Sequence, residues 1–238
     1  MEIFSLIWDQ YLYIPTFNLL VWTYSNHSFF NMGIAVIILT VGLRTLLLPF
    51  TILAEKGKII SEKLKIEINQ IDKDYINDPV KRKEAIRKLL KKKKIRPWAK
   101  IIVLGSQLLV LFLLRRVFLG GIYTEEKRHM LYSQVSPPDF INTKFLWLDL
   151  SQKDLTITAI TALCMFVFMM AGIWSSSDQP SKKERIYAVL LPIAFFLFLT
   201  LFPSVMSLFF LTSLIFSSII SIIIGLIKLG LKNKVKKA

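Results

Sequence analysis

Hydrophobic and polar residues fall along this chain in long blocks rather than in short alternation. The block Gly33–Leu53, GIAVIILTVGLRTLLLPFTIL, is apolar throughout except for small hydroxyls and Arg44 near its middle. At about 1.5 Å per residue such a helix spans roughly 30 Å, the thickness of bilayer hydrocarbon. Ala99–Phe118 and Leu155–Trp174 are further blocks of spanning length. From Ile186 to Ile227 no charged residue occurs. One helix of that extent would be about 60 Å long, twice a membrane, so the run must fold back. Phe202-Pro203-Ser204 is the natural corner. The pattern therefore predicts an all-α polytopic membrane protein with five transmembrane helices, at 33–53, 99–118, 155–174, 186–202 and 205–227.

The intervening blocks have their own periods. Residues 1–32 read as an external tail and an interfacial amphipathic helix. Trp8, Tyr11, Tyr13, Trp22 and Tyr24 are aromatics favoured at the headgroup level, and Phe17, Leu20, Val21 and Tyr24 recur at helical spacing after Pro15. The start carries Glu2 instead of basic residues, and no small-residue cleavage site follows an apolar core, so no signal peptide is expected. Residues 54–98 reverse the character. Ile60, Leu64, Ile68, Ile71 and Tyr75 make one narrow apolar seam, and Ile86, Leu89 and Leu90 make a second. Asn77-Asp78-Pro79 is a turn signal between them. A helical hairpin projecting into water is predicted, with Lys91, Lys92, Lys93 and Lys94 as a basic run. An external segment (119–154), a short loop (175–185) and a basic tail (228–238) complete the chain.

Charge fixes the orientation. The chain has 31 Lys and Arg against 16 Asp and Glu, a net +15, with a hydrophobic content of 54% and a mean hydropathy of +0.53. The basic residues concentrate at 55–100, 182–185 and 228–237, which five spans place on one side. By the positive-inside rule that side is cytoplasmic, so the N-terminus faces out and the C-terminus lies in the cytoplasm. The surplus is read as topology plus attraction to anionic lipid, not as sequence-specific nucleic acid binding. Cys164 stands alone, which excludes an internal disulfide framework. His27 and His129 make no metal-ligand pattern, and no nucleotide loop or nucleophile–base motif occurs. Neither a cofactor nor an enzymatic activity is expected.

Arg44 carries the chemistry. A guanidinium at the bilayer centre costs on the order of 2.5–3.5 kcal/mol even on mild insertion scales. No Asp or Glu lies inside the five expected spans, which offer Thr40, Thr45, Ser106, Gln107, Thr158, Thr161, Thr200, Ser207, Thr212 and Ser213 instead. Most of these hydroxyls are expected to bond the preceding helical turn, with Thr40 and Gln107 facing a wet groove around Arg44. Such a groove lowers the cost of bringing polar peptide into the membrane, and its fixed positive charge attracts acidic residues. Arg115 and Arg116, where the second span exits, are read as interface anchors. Lacking intramembrane carboxylates or histidines, the spans do not suit a proton-coupled transporter. An anion channel or carrier using Arg44 for selectivity, and a scaffold whose basic hairpin docks a cytosolic partner, are the competing readings.

These residues resemble a known family. GIAVIILTVGLRTLLLPFTI is similar to the first core span of the YidC-type membrane protein insertases (the YidC/Oxa/Alb group), including the arginine and the following leucine-proline. LYIPTFNLLVW resembles the family's interfacial helix, and residues 55–95 its cytoplasmic hairpin. RPWAKIIVLGSQLLVLFLLRRVF looks like its second span, and FLWLDLSQKD like its external FLW-x-DLS segment. The departures suggest a divergent member. The proline-rich entry to the second span is reduced to Pro97, and an aromatic Tyr-Trp pair of the last span is missing, with Phe209-Phe210 further along. Neither a large external domain nor an extra N-terminal span is expected. The resemblance implies a non-enzymatic insertase and chaperone in a bacterial plasma membrane. Its hydrophilic groove would take the polar tail of a nascent membrane protein and release the apolar segment into the lipid bilayer. The hairpin, with Lys91–Lys94, would receive the ribosome, the signal recognition particle receptor or the Sec translocon.

Overall fold

Proline and capping side chains decide where the helices of this protein begin, and apolar runs decide how far they go. The computed structural model describes residues 8–76, 78–92, 98–118, 125–138, 140–174 and 182–237. They divide into two units, one of residues up to 45 together with those from 108 onward, the other of residues 46–107.

In the first unit, one turn of π-helix, Trp8–Tyr13, leads into α1, Ile14–His27, with Pro15 in its opening turn, where its missing N–H costs nothing. Helix α2, Met32–Leu46, follows at 120° to it. Asn31 caps α2, its Oδ1 accepting from the N–H of Gly33 at 3.0 Å and of Ile34 at 3.3 Å. Helix α5, Trp98–Phe118, contributes its second half to this unit. A short α6, Glu125–Arg128, and a two-stranded antiparallel hairpin come next. In the hairpin β1, Lys144–Phe145, pairs with β2, Leu148–Asp149, in the register Lys144 to Asp149 and Phe145 to Leu148. Helices α7, Leu155–Trp174, α8, Lys182–Leu199, and α9, Ser204–Lys237, complete it.

The seam of α1 is buried as its spacing predicts: Phe17, Leu20, Val21 and Tyr24 join a core with Met32, Val36 and Leu39 of α2, Leu113 and Leu114 of α5, and Met206 and Phe209 of α9. Helix α7 buries Ile157, Thr158, Thr161 and Ala162. The outward faces are apolar as well, with Leu163 and Val167 on α7, Leu190 and Ile193 on α8, and Ile219 and Ile222 on α9 all exposed. Continuous apolar surface of this kind belongs in lipid. Ile101–Phe118, Leu155–Trp174 and Ser204–Ile227 are long and apolar enough to cross a membrane, and the bent pair Trp8–His27 and Met32–Leu46 adds a fourth candidate. The protein is an all-α polytopic membrane protein. Because lipid is as apolar as the helices, close packing and interhelical hydrogen bonds, more than hydrophobic burial, hold such spans together.

One end of this unit is tied by the segment before α7. Asn18 is buried with its amide fully used: Nδ2 donates to the carbonyls of Ile14 and Met130, both at 2.8 Å, and Oδ1 accepts from the N–H of Tyr132 at 2.7 Å. The Tyr24 hydroxyl takes the N–H of Asn142 at 2.9 Å, and the Asn142 carbonyl takes the N–H of Met32 at 3.1 Å. The carbonyls of Gln152 and Leu150 accept from Ser204 at 2.8 Å and Val205 at 3.2 Å. Orphan N–H groups at the starts of α2 and α9 are thus satisfied by one segment.

In the second unit, α3, Leu48–Asp74, and α4, Pro79–Lys92, fold back on each other, with Asp72 accepting a charge-assisted bond from Arg82 Nε at 2.6 Å. Asp78 caps α4 through the N–H of Lys81 at 3.1 Å, with Pro79 opening the helix. The helix expected over Gly33–Leu53 is interrupted: α2 closes at Leu46, Leu47 turns, and α3 opens at Leu48 with Pro49 in its first turn. The proline ring supplies no N–H to the preceding turn and disfavours helical backbone just before it. Past Leu53, α3 runs on to Asp74, so the change from apolar to charged sequence is not a helix boundary. At the other end, α9 stays helical to Lys237.

Candidate functional site

Arg44 sits in the last turn of α2 and is buried, 9% exposed. Its Nε donates to Ser213 Oγ of α9 at 3.3 Å, and Ser213 is itself buried. Depth follows from the two helices separately. Arg44 lies roughly 18 Å along α2 from Met32, and Ser213 roughly 13 Å along α9 from Ser204. Those two starts are tied to the same segment. Helical side chains lean toward the N-terminus, which closes the difference. Both measures put the guanidinium at a similar distance from that shared segment.

Thr40 lies one turn before Arg44 on α2 and is 1% exposed. Its Oγ1 donates to the Val36 carbonyl at 2.6 Å, so its hydroxyl is spent within its own helix. Gln107 falls in the second unit, half-buried on α5. Lys91 and Lys92 end α4, and Lys93 and Lys94 lie outside the described residues. The other hydroxyls mostly back-bond: Thr45 to Val41, Ser106 to Val103, Thr200 to Leu197 and Thr212 to Leu208. Thr158 and Thr161 do more, joining α7 to α9 through Ser207, at 3.0 Å to its hydroxyl and 3.2 Å to its carbonyl. Ser213 as the partner of Arg44 is visible in sequence only as one of nine hydroxyls named above, because 169 residues separate the pair.

Arg116 makes a specific contact beyond anchoring. Its guanidinium bonds the Asp9 carboxylate through both terminal nitrogens, Nη2 at 3.3 Å, and lies 4.3 Å above the Tyr13 ring. Arg115 stands 5.3 Å over the Phe202 ring. Lys127 Nζ donates to the Val117 carbonyl at 2.8 Å and the Arg116 carbonyl at 3.4 Å, closing the end of α5. Burial, and then the charge of Arg116, hold its ammonium below the usual lysine range. Among the described residues no group of three His, Cys, Asp or Glu side chains could hold a metal.

An all-α membrane protein with a buried, charged arginine bonded across two of its helices is the class that these features define. The sequence model of the 60Kd inner membrane protein family matches residues 22–229. The chain belongs to that family. A Fusobacterium nucleatum protein named membrane protein insertase YidC is 27% identical over 183 residues, 77% of this chain and 80% of its own length. Membrane protein insertase YidC 2 of Bacillus anthracis is 26% identical over 219 residues, 88% of this chain and 78% of its own. The Brucella melitensis membrane protein insertase YidC is 24% identical over 203 residues, 83% of this chain but 32% of its own length. The chain thus spans most of the first two relatives and about a third of the last.

Proposed function

We propose that this chain is a membrane protein insertase of a bacterial plasma membrane, acting on nascent membrane proteins. Arg44 draws the polar, acidic tail of a substrate into a hydrophilic groove, and the substrate's apolar segment then passes into the lipid bilayer. The observation that carries this reading is the buried Arg44 guanidinium bonded across to Ser213 of α9. A permanent positive charge there stabilises a carboxylate far more than it would in water. In this proposal the protein crosses the membrane five times, with its N-terminus outside and the α3–α4 hairpin, with the basic run Lys91 to Lys94 that begins at its end, in the cytoplasm. There the hairpin receives the ribosome, the signal recognition particle receptor or the Sec translocon. The names of the relatives and the concentration of basic residues at 55–100, 182–185 and 228–237 support these assignments.

The test is insertion of a short single-span protein with an acidic N-terminal tail into liposomes containing the purified protein, with wild type, Arg44→Ala and Arg44→Lys compared. Insertion by wild type, its loss in Arg44→Ala and recovery in Arg44→Lys are expected. Full insertion by Arg44→Ala would remove Arg44 from the mechanism. Chloride flux without insertion would replace the insertase with an anion-conducting protein.

A further inference from the structure

Three described non-glycine residues have positive φ: Phe29 at 51°, Phe30 at 55° and Leu146 at 53°. L side chains rarely adopt this conformation, and bulky apolar ones least of all. Each of the three sits at a tight corner and turns an apolar side chain outward. Phe29 is 92% exposed and Phe30 52%, between α1 and α2. Leu146 is 75% exposed and its neighbour Trp147 62%, at the tip of the β1–β2 hairpin. Two-residue hairpin turns ordinarily use Asn-Gly or Asp-Gly, which accept positive φ readily. Here the turn holds leucine and tryptophan.

The two corners form one body. Asn31 Nδ2 donates to the Lys144 carbonyl at 3.1 Å, and Met32 N–H to the Asn142 carbonyl. The Phe145 ring lies so close over Gly33 that a Cβ there would stand 2.2 Å from it. The level of this body in the protein is fixed too. The same segment accepts the first N–H groups of α2 and α9, and α7 begins six residues beyond β2, at Leu155. The strained corners therefore lie at the level where α2, α7 and α9 begin.

We infer that Phe29, Phe30, Leu146 and Trp147 form a single membrane anchor, seated in the headgroup and upper acyl region of the bilayer that the protein itself crosses. Tryptophan is enriched at that depth, where its ring is apolar and its N–H still meets water. Strained backbone persists only where surrounding structure holds it. Here the clamp between Asn31, Gly33 and Phe145 does so. The anchor is separate from Arg44 and does not depend on the insertase reading.

The experiment uses the full chain in phosphatidylcholine–phosphatidylglycerol vesicles with Trp147 as its sole tryptophan, the others changed as Trp8→Phe, Trp22→Phe, Trp98→Phe and Trp174→Phe. Lipids brominated high on the acyl chain should quench Trp147 severalfold more than lipids brominated near the chain end. Aqueous iodide should quench it severalfold less than it quenches free tryptophan. Dominant iodide quenching would overturn the anchor. Protection from both quenchers would overturn it as well, and place a protein on this surface instead. A nitroxide on Leu146→Cys in a Cys164→Ala background reads the same depth without the four replacements. Collision with oxygen exceeding collision with a water-soluble nickel complex is expected, and the reverse order would refute the inference.

Discussion

Gly33→Ala tests whether the clamp at the start of α2 is as tight as its geometry indicates. The new Cβ would lie 2.2 Å from Phe145 Cγ, 2.4 Å from Cδ2 and 2.6 Å from Cβ. Carbon pairs settle at about 3.5–4.0 Å, so the gap must open by more than an ångström. Rotating the ring does not provide this, because the Phe145 Cβ clashes and moves only with its strand. That strand is bound to α2 through Asn142 and to Asn31 through Lys144. Overpacking of this kind costs about 1–3 kcal/mol, and contact with an immobile atom puts the cost at the upper end. Alanine's better helix propensity returns at most about 1 kcal/mol, so a net loss of about 2 kcal/mol remains. At about 2–4 °C per kcal/mol, the melting temperature should fall by about 4–8 °C. Thermal unfolding in detergent, followed by reaction of a maleimide dye with Cys164, measures it, since this is the chain's one cysteine. In a double-mutant cycle, Phe145→Gly should recover the clash in full, while Phe145→Ala should recover only part, because its Cβ remains. A melting temperature at or above wild type for Gly33→Ala would refute the reasoning.

Two further predictions concern single groups. Ser213→Ala removes the hydroxyl that Arg44 bonds and should cost about 0.6–1.7 kcal/mol, the range of interhelical hydrogen bonds in membranes, read by the same melting assay; an unchanged melting temperature would show that this bond contributes nothing. At the start of α4, the backbone N–H of Lys81, and then its ammonium, hold the Asp78 carboxyl below its usual range. Its stabilisation is therefore present above the unfolded value near 3.8 and is lost as pH falls through the lower folded value. Amides in the first turn of α4 should exchange faster below about pH 4, after correction for the intrinsic rate, and Asp78→Ala should remove that dependence.

Much of the fold is written in the chain because bilayer thickness and helical period are strong constraints. The run at Leu155–Trp174 becomes α7 without adjustment, the seam Phe17, Leu20, Val21 and Tyr24 is buried, and Phe202-Pro203-Ser204 is the corner between α8 and α9. Asp78-Pro79 opens α4 where the turn signal stands. The break at Leu47 is harder to read, since Pro49 in an apolar run marks either a kink or a helix start, and only neighbouring structure selects between them. The corners at Phe29, Phe30 and Leu146 leave no trace in residue type, because they use side chains that local preference would exclude. Arg44 stands out by its charge alone. Its partner Ser213 does not, since a serine in a span bonds its own helix in most cases, and only the tertiary arrangement sends this one across.

The hairpin also orders events in time. Its bonds reach back 113 residues, from Lys144 to Asn31, and forward 55, from Asp149 to Ser204. A ribosome adding about 5–20 residues per second completes α2 roughly 5–20 s before Lys144 exists. Through that interval the Met32 N–H and the bare face of Gly33 await residues not yet made, and the last joint closes only after α9 begins. The first helices synthesised are thus among the last to gain all their native bonds, because those bonds are far apart in sequence.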